Sequence, residues 1–339
     1  MEYFITGATG LIGTHLSRQL IDNGHDVIAL TRDVDNAAHL PDAVRVVEGD
    51  VTEPATLRAP MRGVDGVFHL AAWFKLGSIH DNGQPYRINV EGTRTVLETM
   101  AELDVPRGVY TSTVGVFPGT HETPVDETMQ PKQPTFSRYH RSKWAAHFEV
   151  ARPMMDDGLP LVVVMPSGVY GPGDKLTGSL RGIFRRYLTG DLAVIPGGLA
   201  LSFDHASDIA AAHRAAMEHG TTGESYITAS EARRVIDVFD IAESLTGLPG
   251  PRPIPDGLMR AAARAMRSYE RVFSPVDGYE SELLAFAAGR RYLVDNTKAT
   301  RELGVEFRPL AEGLAEYFTW EIEQLGRGDE LSVTHADAG

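Results

Sequence analysis

The stretch Tyr3-Phe4-Ile5-Thr6-Gly7-Ala8-Thr9-Gly10-Leu11-Ile12-Gly13 decides how this chain folds. A short apolar run leads directly into three glycines, and an amphipathic segment follows. A strand, a glycine-rich turn and a helix in this order form the first half of a dinucleotide-binding unit. Gly7 allows a tight turn, Gly10 lets the backbone approach a pyrophosphate, and Gly13 lets the helix pack closely on the strand. The N-terminus of the helix then offers N–H groups and a favourable dipole to the phosphates.

Strand-like and helix-like segments alternate through the first half of the chain, which predicts a doubly wound parallel α/β sheet. The predicted strands are residues 2–6, 26–31, 44–48, 66–71, 107–112 and 160–165. The predicted helices between them are residues 11–23, 54–61, 81–103 and 136–157. The later predicted elements are helices 177–188, 206–219, 232–245, 257–272, 277–288, 296–303 and 309–325, with short strands near 201–203, 225–228 and 291–294.

This pattern predicts two domains and a tail. Residues 1–166 form the Rossmann domain, to which we expect residues 206–223 to return. Residues 167–205 and 224–325 form a smaller, mostly helical lobe that binds the substrate. Residues 326–339 are polar and small, and we expect them to be frayed.

The composition excludes several classes of protein. The 339 residues include no cysteine, so disulfides and cysteine-ligated metal sites are ruled out. The 46 acidic against 32 basic side chains give a net charge of −14, which argues against nucleic-acid binding. No apolar run approaches the ~20 residues that span a bilayer. Because the first strand begins at residue 2, we expect no signal peptide and a cytoplasmic protein.

Only five of the basic residues are lysines. An acid-rich, lysine-poor surface suits proteins that stay soluble in concentrated salt, so a halophilic source is one hypothesis. The alternative is an ordinary acidic enzyme from an arginine-biased genome.

Tyr139 and Lys143, in the run Tyr139-His140-Arg141-Ser142-Lys143, share one face of a predicted helix. A free phenol has a pKa of about 10, and a nearby ammonium favours the phenolate. We therefore expect Lys143 to lower the pKa of Tyr139, so that Tyr139 exchanges a proton with a substrate oxygen near neutral pH. His140 points to a different helix face and is predicted to lie on the surface.

The end of the second strand, Thr31-Arg32-Asp33, bears on the choice of cofactor. Sites selective for NAD place a carboxylate here to accept a hydrogen bond from the ribose 2′-hydroxyl. Thr31 stands where that carboxylate is expected, and the Arg32 guanidinium suits a 2′-phosphate. The sequence therefore predicts NADP, with NAD as the alternative through Asp33.

Together these motifs resemble the extended short-chain dehydrogenase/reductase family, part of the NAD-dependent epimerase/dehydratase superfamily, over residues 1–325. The motifs are Thr6-Gly7-Ala8-Thr9-Gly10-Leu11-Ile12-Gly13, Gly49-Asp50-Val51, His69-Leu70-Ala71-Ala72, Asn89-Val90-Glu91-Gly92-Thr93, Thr111-Ser112-Thr113, Tyr139 with Lys143, and Val169-Tyr170-Gly171-Pro172-Gly173. Within the family, the branch that is similar to dihydroflavonol reductases looks closest.

The resemblance implies a role for each motif. Hydride passes between the nicotinamide and a carbon while Tyr139 exchanges the proton at oxygen, Thr113 binds that oxygen, and Lys143 also holds the nicotinamide ribose. Ser112 is the alternative to Thr113, since the two alternate faces of one strand. Asn89 is expected to tie backbone segments together. The cofactor contacts that the resemblance implies are Gly7, Thr9, Gly10, Leu11, Ile12, Gly13, Arg32, Asp50, Val51, Leu70, Ala71, Ala72, Asn89, Tyr139, Lys143, Pro166, Gly168 and Val169. By the same resemblance, the helices at 81–103 and 136–157 pair across the axis of a homodimer.

The family contains reductases of ketones and aldehydes as well as epimerases and dehydratases of nucleotide sugars. Gly168 stands where the second group often carries an asparagine, and the later run Leu201–Asp208 has no arginine. Both departures favour a hydrophobic carbonyl substrate over a nucleotide sugar, whose phosphates need cations or donors. The predicted substrate contacts are Trp73, Phe74, Lys75 and Phe117.

Two other hypotheses stay open at this point, and a metal site is not predicted. A protein that binds a dinucleotide without catalysing a reaction would keep the glycine turn, although Thr113, Tyr139 and Lys143 argue against it. No His-Glu-x-x-His run or similar cluster predicts a metal site. Arginines at helical spacing in residues 260–271 form either a face for a membrane surface or acidic partner, or a solvated face.

Overall fold

A computed structural model describes residues 1–74, 83–119, 123–132, 137–175, 180–273 and 280–334. The strands are β1 (Glu2–Thr6), β2 (Asp26–Thr31), β3 (Arg45–Glu48), β4 (Gly66–His69), β5 (Gly108–Thr111), β6 (Leu161–Pro166), β7 (Gly168–Tyr170), β8 (Val194–Pro196), β9 (Ala200–His205), β10 (Ser225–Thr228), β11 (Ala232–Arg234), β12 (Arg252–Ile254) and β13 (Arg291–Tyr292).

The helices are α1 (Leu11–Asp22), α2 (Pro54–Met61), α3 (Gln84–Tyr86), α4 (Thr93–Glu102), α5 (Arg138–Ala145), α6 (Arg152–Asp156), α7 (Leu180–Leu188), α8 (Ala206–His219), α9 (Val235–Thr246), α10 (Asp256–Tyr269), α11 (Ser281–Ala287), α12 (Thr297–Leu303) and α13 (Leu310–Gln324). A π-helical segment, Arg87–Gly92, joins α3 to α4, and a second, Ala146–Ala151, joins α5 to α6. Within the described residues, the predicted helices at 81–103 and 136–157 are therefore continuous rods from Gln84 to Glu102 and from Arg138 to Asp156, with a π-helical segment inside each.

Seven strands form one parallel sheet in the order β10-β6-β5-β4-β1-β2-β3. β1 pairs with β2 on one side and with β4 on the other, so the order reverses beside β1. The crevice at the carboxyl ends of the strands at this switch point is where such sheets bind ligands. The predicted doubly wound Rossmann sheet is confirmed.

Two apolar layers cover the faces of the sheet. All six residues of β6 are buried, as expected for a central parallel strand that has helices on both sides. Residues of α4 and of the 138–156 rod, including Val96 and Val150, pack in the core on one face. Residues of α1 and α8, including Leu16 and Ala212, pack on the other. The glycine turn thus lies at the carboxyl end of β1, an inner strand of a sheet that is covered by an apolar layer on each face.

The C-terminal half forms the smaller, mostly helical lobe around its own core, which contains residues of α7, α9 and α13. β9 pairs with β7, β11 and β13 beside it. β10 pairs with β6, so residues 225–228 belong to the main sheet. The division of the chain into domains, with the return of residues 206–223 to the Rossmann domain, stays a prediction. Among the described residues, no helix is both long enough and apolar enough to span a bilayer.

Candidate active site

The glycine turn is tight on its inner side and open on its outer side. Gly7 has a φ of +77°, and a Cβ there would lie 2.6 Å from the backbone nitrogen of Ala71. A Cβ on Gly13 would lie 2.6 Å from the Cα of Ala8, so the helix could not sit this close to the turn. Gly10 is the exposed N-cap of α1 and carries no side chain that could occupy the first-turn N–H groups. These features fit the pyrophosphate of a dinucleotide.

Buried polar side chains link the ends of β1 and β4 to the start of α4. His69 bonds Thr6 through Nδ1 at 2.7 Å and Thr93 through Nε2 at 3.0 Å, and Thr6 accepts the N–H of Ala71. Burial, and secondarily Lys143, lower the pKa of His69 to about 3, so the imidazole is neutral. Because these polar groups form hydrogen bonds with one another, they fix the positions of the strand ends beside the glycine turn.

The structure brings Thr113 and Tyr139 together. Thr113 follows β5, its hydroxyl accepts the N–H of Gly115 at 3.1 Å, and its side chain lies close enough to Tyr139 to influence the pKa of the phenol. Tyr139 lies in the first turn of α5, whose N-cap is Ser137. Desolvation by burial raises the pKa of Tyr139 well above its ordinary value, and Thr113 opposes the rise. The two predicted catalytic hydroxyls therefore lie where one substrate oxygen could contact both.

The expectation that Lys143 lowers the pKa of Tyr139 is wrong for this structure. The Lys143 ammonium is 2% exposed and donates to the Tyr110 hydroxyl at 3.1 Å and to the Thr111 carbonyl at 2.7 Å. Burial lowers the pKa of Lys143 itself to about 7. Desolvation therefore raises the pKa of Tyr139 and lowers that of Lys143. The spacing of the two residues along the helix does not reveal either effect.

Asn89 ties backbone segments together, as expected. Its Oδ1 accepts the N–H of Trp73 at 2.6 Å, and its Nδ2 donates to the Trp73 carbonyl and to the Ser142 hydroxyl. The side chain is fully buried. The amide is bonded to the loop after β4 and to α5, and contact between Asn89 and a cofactor stays a prediction. Asn89 fixes that loop against the helix that carries Tyr139.

Of the predicted substrate contacts, Phe74 lies closest to the catalytic pair. Its ring meets the Tyr139 ring edge-on with centroids 4.9 Å apart. Trp73 is partly exposed beside it, whereas Lys75 lies outside the described residues. The prediction for Phe117 is wrong, because its side chain is 2% exposed and packs in the core.

The groups expected at the adenosine end lie at the carboxyl ends of β2 and β3. Arg32 is exposed, while the Asp33 carboxylate accepts from the Asp35 N–H at 3.0 Å and from the Asn36 amide at 2.8 Å. Burial acts to raise the pKa of Asp50, but hydrogen bonds from Thr52 and the charges of Arg87 and Arg32 hold it below its usual value.

The remaining predicted cofactor contacts surround the same crevice. Leu11, Ile12 and Thr9 are partly exposed at the start of α1, as are Leu70 and Ala71 after β4, and Ala72 is exposed. Val51 is 8% exposed and packs against Gly92. On the far side, Pro166 ends β6, and Gly168 and Val169 are partly exposed in β7. The Pro166 carbonyl accepts a long bond from Thr113, at 3.4 Å.

Three residues near the site differ from the sequence-based expectation. His140 is buried rather than on the surface, bonds Ser137 at 2.6 Å and stacks on Phe286. Ser112 bonds buried His147 at 2.9 Å, which leaves Thr113 as the hydroxyl that contacts Tyr139. Tyr110, which sequence reasoning missed, holds Lys143. In the sequence, the only sign of this role was the polar hydroxyl group of Tyr110 within an otherwise buried strand.

A profile of the NAD dependent epimerase/dehydratase family matches residues 3–229, two thirds of the chain. The chain belongs to this family. The match covers the glycine turn, the Thr113–Tyr139 pair and Lys143, as well as six of the seven sheet strands completely and β1 from Tyr3 onward. Proteins of this family depend on a nicotinamide dinucleotide, which the open helix N-terminus of this epimerase/dehydratase-family chain fits.

Relatives of this family member include reductases and dehydrogenases. The chain is 31% identical to "Putative dihydroflavonol 4-reductase" of Synechocystis, over 94% of both chains. It is 29% identical to sterol demethylase protein B of Methylococcus capsulatus, covering 96% of this chain and 99% of that protein. A 3 beta-hydroxysteroid dehydrogenase/Delta 5→4-isomerase of Mycobacterium tuberculosis is also 29% identical, with 89% and 85% coverage. These relatives support an oxidoreductase.

Solved structures show the same fold. The crystal structure of gox2253 superposes with a TM-score of 0.80 at 28% identity, covering 96% of this chain and 98% of that one. A UDP-glucose 4-epimerase of Thermotoga maritima superposes with a TM-score of 0.77 at 24% identity, covering 96% and 100%. The second similarity concerns the fold alone.

Proposed function

We propose that this protein is an NADP(H)-dependent oxidoreductase that reduces the ketone or aldehyde group of a hydrophobic small molecule. The observation that carries the proposal is the proximity of the Thr113 and Tyr139 side chains at the carboxyl end of β5. Both hydroxyls face one position beside the dinucleotide crevice, and Lys143 lies one helical turn further along α5. Two converging O–H groups of this kind can bind and protonate a carbonyl oxygen.

The residues of the chain handle the proton and the orientation of the substrate. When bound, the nicotinamide supplies the hydride that adds to the carbonyl carbon. Thr113 donates a hydrogen bond to the carbonyl oxygen, and Tyr139 transfers its phenolic proton to that oxygen as negative charge develops. Burial raises the pKa of Tyr139, so the phenol carries its proton at neutral pH and is in the form that can donate it.

The electrostatics at the end of β2 support NADP. Asp33 bonds Asp35 and Asn36, so its carboxylate caps the short 3₁₀ turn at Val34–Ala37 and is less suited to a ribose hydroxyl. Arg32 is exposed at the same edge, where a guanidinium can form two hydrogen bonds with a 2′-phosphate.

The surroundings of Tyr139 support an apolar substrate. Phe74 lies edge-on against its ring, and Trp73 is held beside it by Asn89. The names of the relatives refer to flavonoid and sterol compounds, which are large and apolar. The family also contains nucleotide-sugar epimerases and dehydratases. The catalytic test distinguishes that activity from carbonyl reduction.

The catalytic test uses NADPH oxidation with a panel of aromatic and terpenoid aldehydes and ketones. We expect turnover of at least one compound, and Tyr139→Phe should lower kcat by at least about 100-fold because the proton donor is removed. Tyr86→Phe is the matched control, since Tyr86 is 54% exposed. Full activity of Tyr139→Phe, or turnover of a UDP-sugar without any carbonyl reduction, would contradict the proposal.

The cofactor test compares Arg32→Ala with the wild-type protein. We expect KM for NADPH to rise by about tenfold or more, because two charge-assisted hydrogen bonds to the 2′-phosphate are lost, while KM for NADH stays the same. Arg62→Ala, which removes another exposed arginine, controls for the loss of one positive charge. An unchanged KM for NADPH in Arg32→Ala would rule out the role of Arg32.

A further inference from the structure

We propose that the cleft between α10, α11 and the start of α5 is an anion-binding site that takes a carboxylate or phosphate group. The cleft has a volume of about 440 Å³. This size lies within the range of roughly 300–1,000 Å³ that is usual for small-molecule sites. Its charged lining consists of Arg138, Arg267, Arg271, Arg290, Glu270 and Glu282. Four guanidinium groups therefore face two carboxylates in one concave surface.

Both carboxylates of the cleft are already bonded to the protein. Glu270 accepts the N–H and the hydroxyl of Ser281, the first with Oε1 at 2.6 Å, and so holds the start of α11. Glu282 accepts the backbone N–H of Arg138 at 3.1 Å. These bonds use part of the accepting capacity of the two acids, and the arginines outnumber them. A bound anion would offset the remaining positive charge.

The charge of the cleft is opposite to that of the whole chain. The net charge is −14, so carboxylates are available in excess for pairing with surface arginines. Even so, among the described residues Arg267 and Arg271 form no ion pair. Both are exposed. Arg267 lies in the last turn of α10 and Arg271 in the turn that follows the helix, so both can bind one anion at this end of α10.

The cleft adjoins the helix that carries Tyr139. Arg138 precedes Tyr139 in the chain, and its N–H bonds Glu282 of α11. Phe286, also of α11, stacks on His140 with ring centroids 5.9 Å apart. The anion can therefore be either an acidic group of the substrate or a separate small anion that binds next to the active site.

Calorimetric titration of inorganic pyrophosphate into the protein saturated with NADPH tests the site, because the dinucleotide crevice is then filled. Ionic strength is held constant with chloride. We expect saturable binding that weakens by about tenfold or more in Arg267→Ala/Arg271→Ala, since charge-assisted hydrogen bonds are removed. The control Arg260→Ala/Arg264→Ala removes two exposed arginines from the same helix, outside the cleft lining, and should keep the wild-type affinity. If NADPH does not bind, the titration is done with the protein saturated with NADH instead. The test of the anion site therefore does not depend on the proposed preference for NADP.

No saturable binding by the wild type, unchanged affinity in Arg267→Ala/Arg271→Ala, or an equal loss in both double variants would overturn the proposal. The source of the anion is decided by repeating the titration with a neutral aromatic aldehyde and with its carboxylated analogue. Competition by the carboxylated compound alone assigns the cleft to an acidic group of the substrate. Pyrophosphate binding that both compounds leave unchanged assigns it to a separate anion.

Discussion

At the residue scale, the environment of Lys143 is set by the core rather than by its helix. Its ammonium lies between the Tyr110 hydroxyl and the Thr111 carbonyl, and its Nζ is 4.7 Å from the centre of the Tyr110 ring. Tyr110 also hydrogen-bonds Thr93, which bonds His69. A buried cation is thus held by neutral groups only, and its charged form is costly.

This environment predicts how stability depends on pH. The pKa of Lys143 is about 7 in the folded protein and about 10.4 in an unfolded chain. Below pH 7 both states carry the proton, so the full cost of burying the charge is present. As pH rises from 7 towards 10, only the unfolded state keeps the proton, so the free energy of unfolding should increase, by up to about 1.4 kcal/mol per pH unit.

Urea unfolding of the cofactor-free protein between pH 7 and pH 9 measures this effect as the difference between the wild type and Lys143→Met. The matched control is Lys298→Met, which removes a partly exposed lysine that pairs with Glu224 at 2.6 Å. A difference between the wild type and Lys143→Met that does not change with pH would refute the explanation based on burial.

At the element scale, the start of α1 leaves no room for a side chain at Gly13. Gly13 packs against the Gly7 carbonyl and the Cα of Ala8, and both contacts are with backbone that cannot move aside. Gly257 also lies near the start of a helix, α10, but it is exposed and a Cβ there would meet nothing within 4 Å. Comparing alanine substitutions at the two glycines therefore distinguishes the energetic cost of a steric clash from the ordinary effect of replacing glycine in a helix.

We predict that Gly13→Ala lowers the free energy of unfolding by about 3 kcal/mol or more and weakens dinucleotide binding, because α1 must move away from the turn. We predict that Gly257→Ala raises it by up to about 1 kcal/mol, because alanine restricts the unfolded chain. Urea unfolding and fluorescence titration with NADPH measure both. Equal stability of the two variants would show that the close approach at Gly13 is not needed.

The two rods that flank the site show what periodicity can and cannot predict. Both were expected as helices from their apolar spacing, and both are present. The π segments inside them depend on tertiary bonds. Asn89 lies in the first of these segments and bonds Trp73 and Ser142, which belong to other parts of the chain. Those partners come together only when the chain folds.

At the scale of the whole molecule, the excess of acidic residues should make stability depend on salt. Repulsion among surface carboxylates destabilises the folded state and is screened by ions. Some acids are already neutralised, since buried Glu321 pairs with Arg181 at 2.9 Å and with Arg185 at 2.6 Å, and Asp208 pairs with Arg308 at 2.7 Å. The exposed carboxylates make up the rest of the negative charge.

If the protein comes from a halophile, its free energy of unfolding should rise markedly between about 0.05 M and about 2 M potassium chloride. Thermal unfolding at both concentrations, followed by circular dichroism, measures the change. Full stability at the lower concentration would instead indicate an ordinary acidic enzyme.

The order of local patterns was enough to predict the Rossmann sheet, the positions of its first six strands and the turn that ends in Gly13. This is because hydrophobic periodicity and glycine chemistry act between residues that are close in sequence. The roles expected for Thr113 and Tyr139 at one site came from the resemblance to the short-chain dehydrogenase/reductase family. Tertiary structure alone decided the pKa of Tyr139 and of Lys143, the burial of His140 and Phe117, and the arginine cleft. Each of these depends on desolvation or on charges from distant segments, and no pattern along the chain carries that information.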